Sequence, residues 1–286
     1  MNKITLEGKR AVITGGSRGI GKAIAKAFLE HGAEVFLLAR NNEELMAVQK
    51  ECAELGTVHT RVLDVAEERS VEEAACEIEK VWGGVDMLVN AAGIYGPIGK
   101  VTDVDPQEWK KALEVNLFGT FLMTRAVVPM MKKQGGGTIV NFVGGGEGAY
   151  PHFTSYVSAK GGIARFTETV AAELKDSNID VNAIAPGAVN TKFLEDILDA
   201  GPEKAGKENY ERSLKQKESQ GVPPEKAAQL VLFLASDAAK GLTGKILSAV
   251  WDPYEKFSEH MKDIMDSDVY TFRRVRPKDR GFTWDE

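Results

Sequence analysis

RAVITGGSRGIGKAIAKAFLE, Arg10 to Glu30, places an apolar strand, a glycine-rich turn and an amphipathic helix in immediate succession. Arg10 to Thr14 is short and apolar. From Gly19, residues Ile20, Ala23, Ile24, Ala27 and Phe28 recur with the period of one helical face. Between them Gly15, Gly19 and Gly21 are spaced G-x-x-x-G-x-G, with Ser17, Arg18 and Ile20 interleaved. Gly15 permits a tight turn, and Gly19 and Gly21 let backbone approach a pyrophosphate. The helix start that follows offers free N–H groups and a positive dipole end, the physical requirements of an anion site. Three glycines alone are weak evidence. After a first strand and at the opening of a helix they point to a dinucleotide.

The same alternation continues outward. Strands are predicted at Glu34 to Ala39, Val58 to Val65, Asp86 to Asn90, Thr138 to Val143, Ile179 to Ala185 and Lys245 to Val250. Helices are predicted at Asn42 to Leu55, Glu67 to Val81, Pro106 to Lys133 with a bend near Gly119, Ser155 to Lys175 and Pro223 to Ser236. Apolar strands separated by amphipathic helices imply an α/β fold, a Rossmann-type doubly wound parallel sheet with its ligand at the strands' carboxyl ends. One domain is expected over 1–250, followed by a C-terminal extension, 251–286. The charged stretch 190–221 interrupts the rhythm and is a candidate substrate lid. The extension carries Tyr254, Phe257, Tyr270, Phe272, Phe282 and Trp284, too many aromatics for a merely disordered tail. It is expected to cover a substrate crevice, with its arginines facing an anionic substrate, or to serve as an oligomer-packing arm.

Composition narrows the function classes. The chain has 286 residues, 43% hydrophobic and 27% charged, with a net charge of -6. That acidity disfavours a nucleic-acid partner. Cys52 and Cys76 are expected to be free thiols, with no metal site. Met1 to Gly8 lacks a signal-peptide pattern, and no apolar run approaches a membrane span. A cytoplasmic protein acting on a small molecule is expected.

Two local features point to chemistry. The second predicted strand ends in Ala39-Arg40-Asn41, without the acidic residue that usually accepts from an NAD ribose. Arg40, helped by Arg18, suits a 2′-phosphate through charge-assisted bonds, which favours NADP(H) over NAD. Tyr156 and Lys160 lie four residues apart, on one helical face. Alone, such a pair is usually a surface contact. In a ligand crevice, a nearby ammonium favours the phenolate and makes tyrosine a usable acid or base.

These pieces resemble the short-chain dehydrogenase/reductase family, in the single-domain branch typified by 3-oxoacyl-ACP reductases. TGGSRGIG at Thr14 to Gly21, LDV at Leu63 to Val65 and NAAG at Asn90 to Gly93 match in order. VNLFG at Val115 to Gly119, YVSAK at Tyr156 to Lys160 and NAIAPGAVNT at Asn182 to Thr191 complete the set. The resemblance implies that Asp64 and Val65 contact adenine, while Asn90, Ala91 and Gly93 line the adenosine side. It implies that Pro186, Gly187, Val189 and Thr191 border the nicotinamide, and that Asn116 holds a water linking Lys160 to solvent. Tyr156 then exchanges the proton while a carbonyl or secondary alcohol exchanges hydride. A homodimer or homotetramer packed through the helices of Asn116 and Tyr156 is also implied.

One family feature is missing. Members usually carry a serine at the end of the fifth strand, and here Val143 and Gly144 stand in its place. No hydroxyl side chain occurs from Phe142 to Ala149. The candidates for the lost contact are Gly144 and its neighbouring backbone N–H groups, Glu147, Tyr150, His152 or a substrate group. A non-redox nucleotide-binding protein, an isomerase or a dehydratase on the same scaffold is the competing expectation.

Overall fold

The computed structural model describes residues 4–145 and 148–284. Its strands are β1 (Arg10–Thr14), β2 (Glu34–Ala39), β3 (Val58–Val62), β4 (Met87–Asn90), β5 (Gly137–Phe142), β6 (Ile179–Ala185) and β7 (Ile246–Ser248). They form one parallel sheet in the order β3-β2-β1-β4-β5-β6-β7. The order reverses direction beside β1, so a crevice opens between β1 and β4 at their carboxyl ends. The helices are α1 (Gly19–Glu30), α2 (Asn42–Cys52), α3 (Glu68–Trp82), α4 (Pro106–Leu113), α5 (Gly119–Gln134), α6 (Thr154–Leu174), α7 (Lys192–Ala205), α8 (Lys207–Glu218), α9 (Pro224–Leu234) and α10 (Met261–Met265).

Both sheet faces are covered. One face packs Ile24, Phe28 and Leu29 of α1 with Leu230, Val231 and Phe233 of α9. The other packs Val71 and Ile78 of α3, Met123 and Val127 of α5, and Val170 of α6. This explains why central strands such as β1, β2 and β4 are continuous apolar runs rather than alternating ones, while the edge strand β3 is polar and half-exposed.

Three boundaries depart from expectation. β3 stops at Val62, because Asp64 Oδ1 accepts from Ala66 N–H at 3.0 Å and turns the chain out of the strand. The long helix expected from Pro106 is interrupted by a π turn, Glu114–Phe118, just before Gly119. Asn116 sits in that turn. Its Nδ2 donates to the carbonyl of Ala112 at 2.7 Å, an oxygen that the Asn116 backbone N–H would take in a regular α-helix. Gly119 then lies so close to Val65 that a Cβ would stand 2.7 Å from Val65 Cγ2. The stretch 190–221 is a helical hairpin, α7 and α8, joined at Gly206 with φ +80°. Its base is tied by Val222 N–H to the carbonyl of Ala188 at 2.9 Å.

The extension belongs to the same core. Tyr254, Phe257 and Ile264 are buried with the α1–α9 layer. Beyond them the chain follows the outer edge of β7, where the Tyr270 carbonyl accepts from Ile246 N–H at 2.8 Å. Buried Lys245 donates to the carbonyls of Ser267 and Val269 at 3.0 and 3.1 Å. Phe272 N–H then reaches Glu168 on α6, and the Arg165 guanidinium lies over the Phe272 ring. These anchors are more than two turns beyond Tyr156, so the segment up to Phe272 lies along a sheet edge. Arg273 is paired with Asp268 and Asp279 instead of facing a ligand site.

Candidate active site

The expected site residues converge on the carboxyl edge of the sheet. Thr14 Oγ1, at the end of β1, accepts from Ala92 N–H at 3.1 Å and locks the glycine turn to the segment after β4. A Cβ on Gly15 would stand 3.0 Å from the Ala91 carbonyl oxygen. One on Gly21 would collide with the carbonyl of Gly15, so the helix can start this close only with glycine. Gly19 and Ile20 form the first residues of α1. Arg18, its N-cap, makes no side-chain capping bond, and no acidic residue occupies the first turn. The free N–H groups and glycine cradle therefore fit a pyrophosphate.

Around this cradle, Ser17 Oγ donates to Glu44 at 2.8 Å, and Arg18 pairs with the same carboxylate at 3.5 Å. Arg40 stands exposed just past β2. Asp64 and Val65 follow β3. Pro186, Gly187 and Val189 follow β6, leading to Thr191, the N-cap of α7. The Thr191 methyl lies 3.3 Å from where a Cβ on Gly19 would stand, so α7 begins directly against the glycine turn.

Asn90 differs from the expected role. Its side chain is buried, donating to Asn141 Oδ1 at 2.9 Å and Thr124 Oγ1 at 3.4 Å. Asn141 in turn donates to Thr167 on α6 at 3.0 Å. This chain ties β4 and β5 to the helices above them, and the Asn90 amide faces inward. Asn116 likewise serves a framework role. Its amide holds both the carbonyl and the N–H of Ile94, at 2.8 and 3.3 Å, and its own carbonyl accepts from Thr120 Oγ1 at 2.7 Å. The side chain is engaged on backbone and fixes the loop that carries Gly93 and Tyr95.

Lys160 is buried, and its Nζ donates to the carbonyl of Phe142 at 2.8 Å. Burial disfavours the ammonium and lowers its pKa to about 8. Nζ lies 5.7 Å from the centre of the Tyr156 ring. The expected lowering of the phenol pKa is overturned. Burial pushes Tyr156 up, with the nearby Tyr150 adding to the effect. Desolvation of the phenolate outweighs the neighbouring ammonium, so Tyr156 is a neutral proton donor in the cofactor-free chain.

Its hydroxyl faces the backbone where β5 ends. A Cβ on Gly144 would stand 2.5 Å from Tyr156 Oη. Beside it is an aromatic cluster of which only Tyr150 was among the expected candidates. Tyr95 meets Tyr156 edge-on at 4.7 Å and Phe193 of α7 at 4.5 Å, while Tyr150 stacks on Phe153 at 4.3 Å. Ser155 Oγ donates to the carbonyl of Tyr95 at 3.1 Å and fixes that loop. Phe193 and Ile197 pack α7 against Tyr156 and its cluster. The signal available beforehand was the aromatic content flanking NAAG and opening α7.

Among the other candidates, Glu147 lies outside the described residues. His152 has a buried Nδ1 with no hydrogen-bond partner among the described residues. Its backbone has φ +75°, and its ring lies against Gly206, where a Cβ would stand 3.0 Å from Nε2. It fills the joint between α7 and α8. Among the described residues no group of side chains suited to a metal occurs, and no helix is long and apolar enough to cross a membrane.

A family model for short chain dehydrogenases matches residues 9–201. The chain belongs to that family. It is 38% identical over 251 residues to the 3-oxoacyl-acyl-carrier-protein reductase FabG of Thermotoga maritima, covering 85% of this chain and 96% of the relative. It is 34% identical over 252 residues to a D-beta-hydroxybutyrate dehydrogenase of Rhizobium meliloti, covering 84% and 96%. Among solved structures, levodione reductase superposes with a TM-score of 0.78 at 29% identity, covering 86% of this chain and 96% of that one. A 7α-hydroxysteroid dehydrogenase solved with NADH and 7-oxo glycochenodeoxycholic acid gives 0.72 at 32% identity, covering 85% and 93%. This short-chain dehydrogenase is thus an oxidoreductase of carbonyls and alcohols, in a family that uses a nicotinamide cofactor.

The buried lysine sets a pH test. Lys160 titrates near 8 when folded, against its ordinary 10.5. Between those values the unfolded chain binds more protons, so rising pH stabilises the folded state, by up to about 3 kcal/mol. Lys160→Met lacks this slope. In thermal melts from about pH 7.5 to about pH 10, the wild type should gain steadily on Lys160→Met. A constant difference between the two would contradict the burial account.

Proposed function

We propose that this short-chain dehydrogenase is NADP(H)-dependent and exchanges hydride with a carbonyl or secondary alcohol. The observation that carries the reading is Tyr156, a half-buried phenol one turn from Lys160 whose hydroxyl faces the backbone at Gly144. Gly15, Ser17, Arg18, Gly19, Ile20 and Gly21 would hold the pyrophosphate. Asp64, Val65, Ala91 and Gly93 would border the adenosine, and Pro186, Gly187, Val189 and Thr191 the nicotinamide. The bound cofactor supplies the hydride. Tyr156 Oη gives its proton to the substrate oxygen as negative charge develops there. Lys160, tethered by one bond to Phe142, keeps two donors for the ribose hydroxyls and stabilises the resulting phenolate. Asn116 acts as a positioning residue through Ile94.

For cofactor choice, Glu44 already holds Ser17 and Arg18, so a 2′-phosphate must compete for Arg18. Arg40 then carries most of the preference. The names of the relatives make 3-oxoacyl and 3-hydroxyacyl compounds the first substrates to try. A cytoplasmic location goes with this reading. An apolar groove lined by Leu113, Leu117, Phe118, Phe121 and Phe166 runs between α4, α5 and α6. We assign it to the contact between copies in a homodimer or homotetramer. A non-redox reading has one observation in its favour, the lack of a side-chain hydroxyl at Gly144.

Three outcomes follow. With ethyl acetoacetate or acetoacetyl-CoA, Tyr156→Phe should lower kcat by about 10²-fold or more, and unchanged turnover would remove Tyr156 from the chemistry. Arg40→Ala should cut the NADPH-over-NADH ratio of kcat/KM by about ten-fold, the loss of one charge-assisted contact. An unaltered ratio sinks the NADP(H) assignment. Sedimentation equilibrium should show a dimer or tetramer, and a monomer would refute the groove's assignment.

A further inference from the structure

We infer that Glu44 is a specificity-determining residue for the cofactor, whose carboxylate opposes a 2′-phosphate and keeps NAD(H) usable. The inference rests on the reading that a nicotinamide dinucleotide lies in the glycine cradle with its adenosine ribose at the end of β2. In such sites the residue that closes the second strand makes the choice. An acidic side chain there receives a ribose 2′-hydroxyl, and an arginine receives a 2′-phosphate. Here Arg40 stands at that point, between Ala39 and Asn41. A carboxylate reaches the same region from the following helix.

Glu44 lies in the first turn of α2, whose N-cap is Asn41. Asn41 Oδ1 accepts from Glu44 N–H at 3.1 Å. A glutamate at this distance from its cap ordinarily turns back to the cap's own N–H and closes a capping box. Glu44 turns the other way. Its Oε2 accepts from Ser17 Oγ at 2.8 Å, and its Oε1 pairs with Arg18 Nη1 at 3.5 Å. Glu43, exposed in the same turn, already sets a negative charge at the positive end of the helix. The glycine turn that carries Ser17 and Arg18 is fixed to the end of β2, where Gly15 N–H donates to the Leu38 carbonyl at 2.7 Å. The Glu44 carboxylate therefore bridges the two segments that flank the end of β2.

Its two contacts differ in strength. The Arg18 side chain is 60% exposed and its pair is long, so water and salt screen it. The Ser17 bond is shorter and partly buried. A dianionic 2′-phosphate can draw Arg18 away, while Ser17 and the capped helix keep Glu44 in place. The phosphate then sits beside a fixed negative charge, which offsets part of the attraction of Arg18 and Arg40. A ribose 2′-hydroxyl meets the opposite situation. It carries no charge and leaves the Arg18 pair intact. With Ser17 and Arg18 engaged, the carboxylate still has lone pairs for it, supplying the acceptor that the end of β2 lacks. Arg40 and Glu44 thus pull the cofactor choice in opposite directions.

The test uses the full chain, with NADPH and NADH as probes and their affinities read by nicotinamide fluorescence, which needs no second substrate. Glu44→Gln keeps the length and the acceptor for Ser17 but removes the charge. It should tighten NADPH about ten-fold and weaken NADH about three-fold, with a melting temperature close to wild type. Glu43→Gln removes the same charge one residue away and should shift neither affinity by more than about two-fold. An NADPH-over-NADH affinity ratio that Glu44→Gln leaves unchanged, or that Glu43→Gln raises equally, would overturn the Glu44 assignment. If Arg40→Ala lowers the ratio while Glu44→Gln does not alter it, the Glu44 assignment fails and the NADP(H) reading stands. If Glu44→Gln raises the ratio while Arg40→Ala does nothing, the Glu44 assignment stands and the NADP(H) reading fails. A wild type that binds neither probe overturns both.

Discussion

A buried ammonium needs an acceptor, and the site is built on the one that Lys160 finds, the carbonyl of Phe142 at 2.8 Å. That bond fastens α6 to the end of β5. Tyr156, one turn earlier on the helix, is thereby held against Gly144. The cost of burying the lysine appears as its lowered pKa, and the same dry surroundings keep Tyr156 protonated. One tether thus sets the position and the protonation state of the acid together.

The rest of the framework delivers a cofactor cradle and a wall to that point. Gly21 lets α1 begin against Gly15, leaving uncapped N–H groups beside β1. Asn116 widens the helix into a π turn and uses its amide to hold Ile94, which places Gly93 on one side and Tyr95 on the other. Helix α7 arrives through Thr191, at the glycine turn, and Phe193, at Tyr95. The glycine turn, Tyr156 and α7 therefore meet at a single edge of the sheet, where the proposed substrate would be shielded from water.

Most of the architecture was legible from periodicity, because the central strands are covered on both faces and most helices on one. The glycine spacing and the Tyr156–Lys160 pair were legible because their physical demands are local. Other features depend on contacts between distant segments. The π turn looks like ordinary helix in sequence, since its cause is a bond from Asn116 to a remote loop. Tyr95, Tyr150 and Phe193 come from three separate segments, and nothing in their spacing announces one cluster. The protonation of Tyr156 was misjudged for the same reason. Proximity to Lys160 is written in the sequence, whereas the burial that outweighs it is a property of the folded chain. Of the tail's aromatics, Tyr254, Phe257 and Tyr270 pack on the α9 layer, a target that is not encoded locally, while Phe272, Phe282 and Trp284 stay exposed.

The central claim is that hydride leaves the cofactor for a carbonyl carbon while Tyr156 supplies the proton. Isotope transfer tests it most directly. NADPH deuterated at the reactive nicotinamide carbon is incubated with ethyl acetoacetate and the enzyme, and the product is weighed by mass spectrometry. The account predicts one deuterium on the new carbinol carbon. A product formed with no deuterium, or a bound cofactor that keeps its label while the substrate is consumed, would contradict it.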